Sequence, residues 1–147
     1  VAADSGDGRS LSTPLDLEGR GAPLGPMVRN LAEAGIPVAA LVAPSVTAVK
    51  VAHGEGAAGV EFYTGVIVDL PAAERAAELT RLGDAVRLAS KLRLTIGLGG
   101  GLGYRTLPEV LAAAPAVERV AVGRAALARA LLVGLDRALR DLRALVA

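Results

Sequence analysis

Four short apolar runs, each followed by a segment with helical periodicity, constrain the fold of this chain more than any other feature. The predicted strands are residues 38–42, 59–63, 94–98 and 119–122, and the predicted helices are residues 24–34, 45–52, 72–92, 106–113 and 125–145. Strands that are apolar throughout are typical of parallel strands covered by helices. The pattern therefore predicts an α/β fold of the (β/α) TIM-barrel type, to which the chain supplies about four βα units.

Residues 1–147 are expected to form a single domain, and residues 1–20 are expected to be a loop because they are rich in Gly, Asp and Ser. A closed eight-stranded barrel takes about 200 to 250 residues, so this length leaves three arrangements open. The chain is half of a barrel, pairs with another copy, or forms a small open sheet. A half barrel exposes two sheet edges and an apolar inner face. We therefore expect a homo-oligomer, or pairing with a missing N-terminal half.

Composition excludes several classes of function. The net charge is +1 and the arginines are scattered, which predicts no nucleic-acid partner. The absence of cysteine and the single histidine predict no metal site, and we expect no cofactor. No apolar run approaches the roughly 18 to 20 residues of a membrane span, and no basic segment followed by an apolar one opens the chain, so we expect a cytoplasmic protein. Because the sequence begins with Val1, we expect further residues upstream.

Glycines end two of the predicted strands near the C-terminus. Gly99, Gly100 and Gly101 follow one strand, and Gly123 follows the other and is succeeded at once by Arg124 and a predicted helix. Glycine lets backbone N–H groups approach an anion, a helix start adds the positive end of a dipole, and arginine offers a fork of donors. These features predict a site for a phosphorylated small molecule.

Each of these residues also has a plainer interpretation. The glycines are consistent with a flexible turn, and Arg124 with a surface ion pair to Glu118. Glu61 lies inside an apolar strand, which favours either a catalytic position at the barrel mouth or a buried salt bridge. Tyr63 and Tyr104 are more typical of packing residues whose hydroxyls are hydrogen-bonded.

Several short segments, in their order and spacing, make the chain resemble the second half of the pyridoxine 5'-phosphate synthase (PdxJ-type) family. They are Leu15-Asp16-Leu17, Leu31-Ala32-Glu33-Ala34-Gly35-Ile36, Glu61-Phe62-Tyr63-Thr64-Gly65, Gly99-Gly100-Gly101-Leu102-Gly103-Tyr104 and Val122-Gly123-Arg124-Ala125. The resemblance runs over nearly the whole chain. It implies the condensation of 1-deoxy-D-xylulose 5-phosphate with 3-amino-2-oxopropyl phosphate in vitamin B6 biosynthesis.

The resemblance also implies roles for single positions. It adds Thr64 and Ser10 to the expected substrate-binding residues. It places Tyr63 where the family has a histidine, Gly100 where the family has its proton-donating histidine, and Arg124 where the family has another histidine. Glycine cannot transfer a proton, so the chain alone is expected to be inactive. Two hypotheses follow: a divergent or incomplete synthase, and a non-catalytic phosphate-binding or assembly module derived from that fold. A generic phosphosugar-binding half barrel is a third, against which the Glu61-x-x-Thr64-Gly65 pattern argues.

Overall fold

Strands and helices alternate along the chain in the order that the apolar pattern predicts. A computed structural model describes residues 14–17 and 24–146. In these ranges the strands are β1 (Ala39–Val42), β2 (Gly59–Tyr63), β3 (Thr95–Gly99) and β4 (Arg119–Val120). The helices are α1 (Gly25–Glu33), α2 (Val46–Gly54), α3 (Gly65–Val68), α4 (Ala72–Lys91), α5 (Leu107–Ala113), α6 (Arg124–Val133) and α7 (Leu135–Arg143). None of these helices is long and apolar enough to cross a bilayer.

The four strands form one parallel sheet in the order β1-β2-β3-β4, which confirms the predicted α/β class. In the register between β2 and β3, Glu61 lies opposite Gly97 and Tyr63 lies opposite Gly99. Strand β4 is two residues shorter than predicted, although the Ala121 N–H still donates to the Leu98 carbonyl at 2.8 Å. Because all strands run in one direction, their carboxyl ends lie at one edge of the sheet.

The hydrophobic core lies between the sheet and helices α2, α4 and α5. Helix α4 packs against both α2 and α5, so these helices form one layer. The strands contribute alternate residues to this core, as expected for the period of two in a β-strand. The fully or almost fully buried strand side chains are Ala40, Val42, Val60, Phe62, Ile96 and Leu98.

The other face of β2 and β3 differs from the apolar inner face that the sequence predicts. Glu61 and Tyr63 project from β2 on this face, and the facing residues of β3 are Gly97 and Gly99. Glycine counts as apolar in a sequence pattern, but it presents no side chain. The space on this face is therefore taken by a carboxylate and a phenol instead of by aliphatic groups.

Two local elements were not predicted. Helix α3 is only four residues long, and its Val and Ile residues give no helical period to recognise. Leu15, in the segment predicted as a loop, makes an isolated parallel bridge to Val42, and its N–H donates to the Leu41 carbonyl at 2.7 Å. The described part of that segment therefore extends the sheet beyond β1.

Helices α6 and α7 pack against each other across Gly134, whose positive φ of 83° ends the first helix. Arg129 in α6 donates from its Nε to Asp141 in α7 at 2.8 Å. The guanidinium of Arg129 also lies 5.0 Å from the centre of the Tyr104 ring, and the Tyr104 hydroxyl donates to the Ala138 carbonyl at 2.8 Å. Through Arg129 and Ala138, Tyr104 in the loop after β3 therefore contacts both C-terminal helices.

Stability in acid is expected to depend on Asp141. The hydrogen bond from Arg129 holds the pKa of the Asp141 carboxyl below its usual value. A carboxyl whose pKa is lower in the folded state stabilises the fold above its unfolded pKa, and this contribution is lost as the pH falls through the folded pKa. We expect Asp141→Asn to lower the Tm at neutral pH, and the difference from the unsubstituted protein to shrink in strong acid. Scanning calorimetry across the pH range measures both.

Asp136→Asn is the matched control for this prediction. Asp136 pairs with Arg140 on the same helix, but both side chains are largely exposed, and exposed pairs contribute little to stability. Equal effects of the two substitutions at neutral pH would show that the link between α6 and α7 is unimportant.

Candidate functional site

An open groove lies at the edge of the sheet where β2, β3 and β4 end. Its volume is about 1130 Å³, and its lining includes Glu61, Tyr63, Gly100, Gly101, Gly123 and Arg124. The two glycine bends predicted to form a phosphate site are thus on the same rim and share one groove. Gly99 lies at the end of β3 beside this groove. Ser10 lies outside the described residues.

The bend after β3 needs glycine for its backbone conformation. Gly100 and Gly101 have φ values of 91° and 72°, in the left-handed region that side chains disfavour. A Cβ at Gly101 would also lie 2.6 Å from Cγ2 of Val68 in α3. The bend is therefore a turn of defined backbone conformation packed against α3, which argues against the alternative of a flexible turn.

The bend after β4 leads directly into helix α6. Gly123 is the residue before the first turn, and no side chain caps that helix start. The first N–H groups of an α-helix have no partner within the helix and carry the positive end of its dipole. Nothing lies within 4 Å of the position that a Cβ on Gly123 would take, and Gly123, Arg124 and Ala125 all line the groove, so the start of α6 faces it.

Arg124 is the first residue of α6, and its side chain is exposed at the groove. Within the described ranges Arg124 forms no ion pair, and the alternative of a pair with Glu118 is therefore not realised. The Glu118 carboxylate instead accepts a hydrogen bond from the Ile96 N–H at 3.3 Å. The guanidinium of Arg124 is thus available to an anion in the groove.

The side chain of Glu61 extends from β2 over Gly97 and Gly99 of β3, on the face of the sheet opposite the core. A Cβ at Gly97 would be 3.3 Å from the Glu61 Cγ, and a Cβ at Gly99 would collide with the Glu61 carboxylate. These two glycines therefore make room for the acid. The Glu61 carboxylate makes no hydrogen bond or ion pair within the described part of the chain, so the predicted alternative of a buried salt bridge is not formed there.

Thr64 connects the loop after β2 to the loop after β3. It is fully buried, and its hydroxyl donates to the Gly100 carbonyl at 2.6 Å and to the Gly99 carbonyl at 3.1 Å. The Thr64 N–H also donates to the Gly99 carbonyl, at 2.7 Å. The geometry assigns Thr64 the positioning of the glycine turn, and direct contact with a ligand stays a prediction.

The sequence predicted Tyr63 to be a packing residue, but in the structure it lines the groove. Its ring lies over Gly100 and Gly65 and forms part of the groove wall. The packing interpretation fits Tyr104 instead, because the Tyr104 hydroxyl is hydrogen-bonded to Ala138. The signal that distinguishes Tyr63 is its spacing of two from Glu61, which places both side chains on the same face of β2.

Comparison with known proteins gives one consistent family. A family model described as "Pyridoxal phosphate biosynthesis protein PdxJ" matches residues 9–147. The chain belongs to the PdxJ family. PdxJ is a TIM-barrel family, and the four-stranded parallel sheet is consistent with a partial barrel of that type. The resemblance inferred from the residue motifs is thereby confirmed.

Relatives of the PdxJ family include three proteins named pyridoxine 5'-phosphate synthase. The one from Synechococcus sp. (strain CC9605) is 37% identical over 132 residues, which cover 90% of this chain and 53% of the relative. Those from Akkermansia muciniphila and Geobacter sp. (strain M21) are 34% and 38% identical over 120 residues, covering 82% and 81% of this chain and 49% and 50% of the relatives. The chain thus spans about half the length of the relatives it matches.

The groove has few polar side chains, and they differ in charge. Among residues 14–17 and 24–146, no group of three or more His, Asp or Glu side chains is arranged to hold a metal ion. The polar side chains of the groove are Glu61, Tyr63 and Arg124, which are an acid, a phenol and a cation. This set is suited to binding and orienting an anionic ligand.

Proposed function

We propose that this chain is the phosphate-binding half of a pyridoxine 5'-phosphate synthase. In this reaction 1-deoxy-D-xylulose 5-phosphate condenses with 3-amino-2-oxopropyl phosphate, and the pyridine ring closes with loss of water and one phosphate. Membership of the PdxJ family supports the pathway, and the names of the relatives support the reaction. The observation that carries the proposal is the shared groove of the two glycine bends, with the open start of α6 and the unpaired Arg124 on its wall.

The roles of the groove residues follow from their chemistry. Backbone N–H groups at Gly101, Gly123 and the start of α6 bind the phosphate oxygens, and Arg124 adds charge-assisted hydrogen bonds. Glu61, without a cationic partner in the described ranges, is the one carboxylate of the groove and the candidate acid or base. Thr64 holds the turn of Gly99 and Gly100 in place.

A specific observation also favours the second hypothesis, a non-catalytic phosphate-binding module. Position 100, which the resemblance assigns to a proton-donating histidine, is a glycine with φ 91°. The groove contains no histidine among its lining residues. Assay of the protein together with an added N-terminal half of a relative and both proposed substrates separates the hypotheses: product formation supports the synthase, and binding without turnover in that complex supports the module.

The partner that completes the barrel is part of the proposal. Strand β4 is a sheet edge in the described residues, and only the bridge of Leu15 flanks β1. We propose that an N-terminal half of the same family closes the sheet, since the relatives are about twice as long as this chain. Light scattering tests this by measuring the mass of the complexes that form when the N-terminal half of a relative is added. A complex of the two halves supports the proposal, whereas homo-oligomers that do not bind the added half support self-assembly.

Arg124→Ala tests the phosphate site. A hydrogen bond to a charged group is worth about 1.5 to 3 kcal/mol, so the affinity for 3-amino-2-oxopropyl phosphate is expected to fall roughly 10- to 100-fold. The control is Arg137→Ala, an exposed arginine of α7 outside the groove, which should leave binding unchanged. Isothermal titration calorimetry measures both, and unchanged binding by Arg124→Ala would show that the anion site lies elsewhere.

A further inference from the structure

The ring of Tyr63 occupies the space that a side chain at position 100 would need. A Cβ on Gly100 would lie 2.5 Å from both Cδ2 and Cε2 of that ring, far inside contact distance. On the neighbouring loop, a Cβ on Gly65 would lie 2.5 Å from the Tyr63 Cζ and would collide with its hydroxyl oxygen. The Tyr63 ring therefore packs directly on Gly65 and Gly100, one glycine from each loop, and forms part of the groove wall.

The hydroxyl of this phenol has no partner in the described part of the chain. Tyr63 is half-buried, and no hydrogen bond from its side chain is made within residues 14–17 and 24–146. The Tyr63 hydroxyl is not among the buried atoms without a partner in the described residues, so it is open to the groove, whereas the Tyr104 hydroxyl donates to the Ala138 carbonyl. A rigid aromatic donor held at a groove wall without a protein acceptor is suited to an acceptor on a ligand.

The charges of the groove indicate which ligand atom this donor suits. Arg124 and the start of α6 favour the dianionic phosphate, whereas the Glu61 carboxylate disfavours a second anion beside it. A phenol is a neutral donor, and it pairs well with an uncharged carbonyl or hydroxyl oxygen. A ligand that pairs with Arg124, with the start of α6 and with the Tyr63 hydroxyl carries a phosphate at one end and an uncharged carbonyl or hydroxyl oxygen along its carbon chain.

We propose that Tyr63 is a specificity-determining residue whose hydroxyl donates a hydrogen bond to a carbonyl or hydroxyl oxygen of the phosphorylated ligand, and that residue 100 is glycine to admit its ring. The proposal rests on the proposed phosphate site. It assigns to Tyr63 the discrimination between a phosphate ester that bears such an oxygen and phosphate alone. A hydrogen bond from the Tyr63 hydroxyl adds affinity only for a ligand that carries such an oxygen.

The test compares two probes, inorganic phosphate and dihydroxyacetone phosphate, by isothermal titration calorimetry. Tyr63→Phe keeps the ring packed on Gly65 and Gly100 and removes only the hydroxyl. It is expected to weaken binding of dihydroxyacetone phosphate about 3- to 10-fold, which corresponds to one neutral hydrogen bond, and to leave the affinity for inorganic phosphate unchanged. Tyr104→Phe, the matched control outside the groove, should leave both affinities unchanged.

The remaining outcomes are each decisive. If Tyr63→Phe binds both probes as tightly as the unsubstituted protein, Tyr63 is a wall residue and the inference is wrong while the phosphate site stands. If Tyr63→Phe weakens both probes equally, its hydroxyl acts on the phosphate and the assigned specificity is wrong. If the unsubstituted protein binds neither probe, the proposed function fails and this inference fails with it.

Discussion

Phe62→Ala is expected to lower the free energy of unfolding by about 3 to 5 kcal/mol, the usual cost of removing a buried phenylalanine side chain. Phe62 is 0% exposed, lies in the middle of the sheet and is one of the largest fully buried side chains of the described core. Its neighbours in β1 and β3 are fixed by strand pairing, so the cavity has little freedom to collapse. Urea unfolding, with the same m-value for both proteins, measures the difference.

Leu131→Ala is the control for Phe62→Ala. Leu131 is 88% exposed on α6, and exposed substitutions usually change stability by about 0.5 kcal/mol or less. If Phe62→Ala costs no more than Leu131→Ala, the sheet does not form the core of the protein. Phe62→Leu should fall between the two, which keeps the comparison informative if the alanine variant is too unstable to purify.

Gly100→Ala is expected to lower the free energy of unfolding by about 2 to 5 kcal/mol and to disrupt the groove. A left-handed backbone costs a non-glycine residue about 1 to 2 kcal/mol, and forcing an extra methyl into an occupied site typically costs about 1 to 3 kcal/mol. Both costs apply, because Gly100 has φ 91° and its Cβ would meet the Tyr63 ring at 2.5 Å.

Two variants separate the cost of the left-handed backbone from the cost of the clash with the Tyr63 ring. Gly35→Ala has only the cost of the left-handed backbone, since Gly35 has φ 76° and nothing lies within 4 Å of its Cβ position. In the Tyr63→Ala background, Gly100→Ala should lose the clash and retain the backbone cost. A double-mutant cycle by urea unfolding therefore predicts coupling of at least about 1 kcal/mol between positions 63 and 100. Additive effects would contradict the packing of the ring on Gly100.

The sequence predicted most of the fold because its helices carry local signals at their ends. Ser45 accepts hydrogen bonds from the N–H groups of Thr47 and Ala48 at the start of α2, as expected for its side chain at that position. Pro71 precedes α4, and Gly134 divides α6 from α7 with a positive φ. These signals depend on the backbone of a few residues and not on the rest of the chain.

The site was predictable only in part, because side-chain contacts depend on strand register. The two glycine bends could be placed at one edge from the parallel order of the strands alone. That Gly97 and Gly99 make room for Glu61, and that Gly100 makes room for Tyr63, follows from pairings between residues more than 30 positions apart. No local pattern encodes such pairings, so Tyr63 was assigned to packing.

The central claim is that main-chain N–H groups of the two bends and the Arg124 guanidinium bind one phosphate group. The most direct test is a ¹H–¹⁵N NMR titration of the protein with inorganic phosphate, followed at each backbone amide. We expect the amide signals of Gly101, Gly123, Arg124 and Ala125 to shift and saturate together with a single Kd, and Arg124→Ala to raise that Kd. Saturating shifts confined to residues away from the groove, or no saturation at any amide of the two bends, would contradict it.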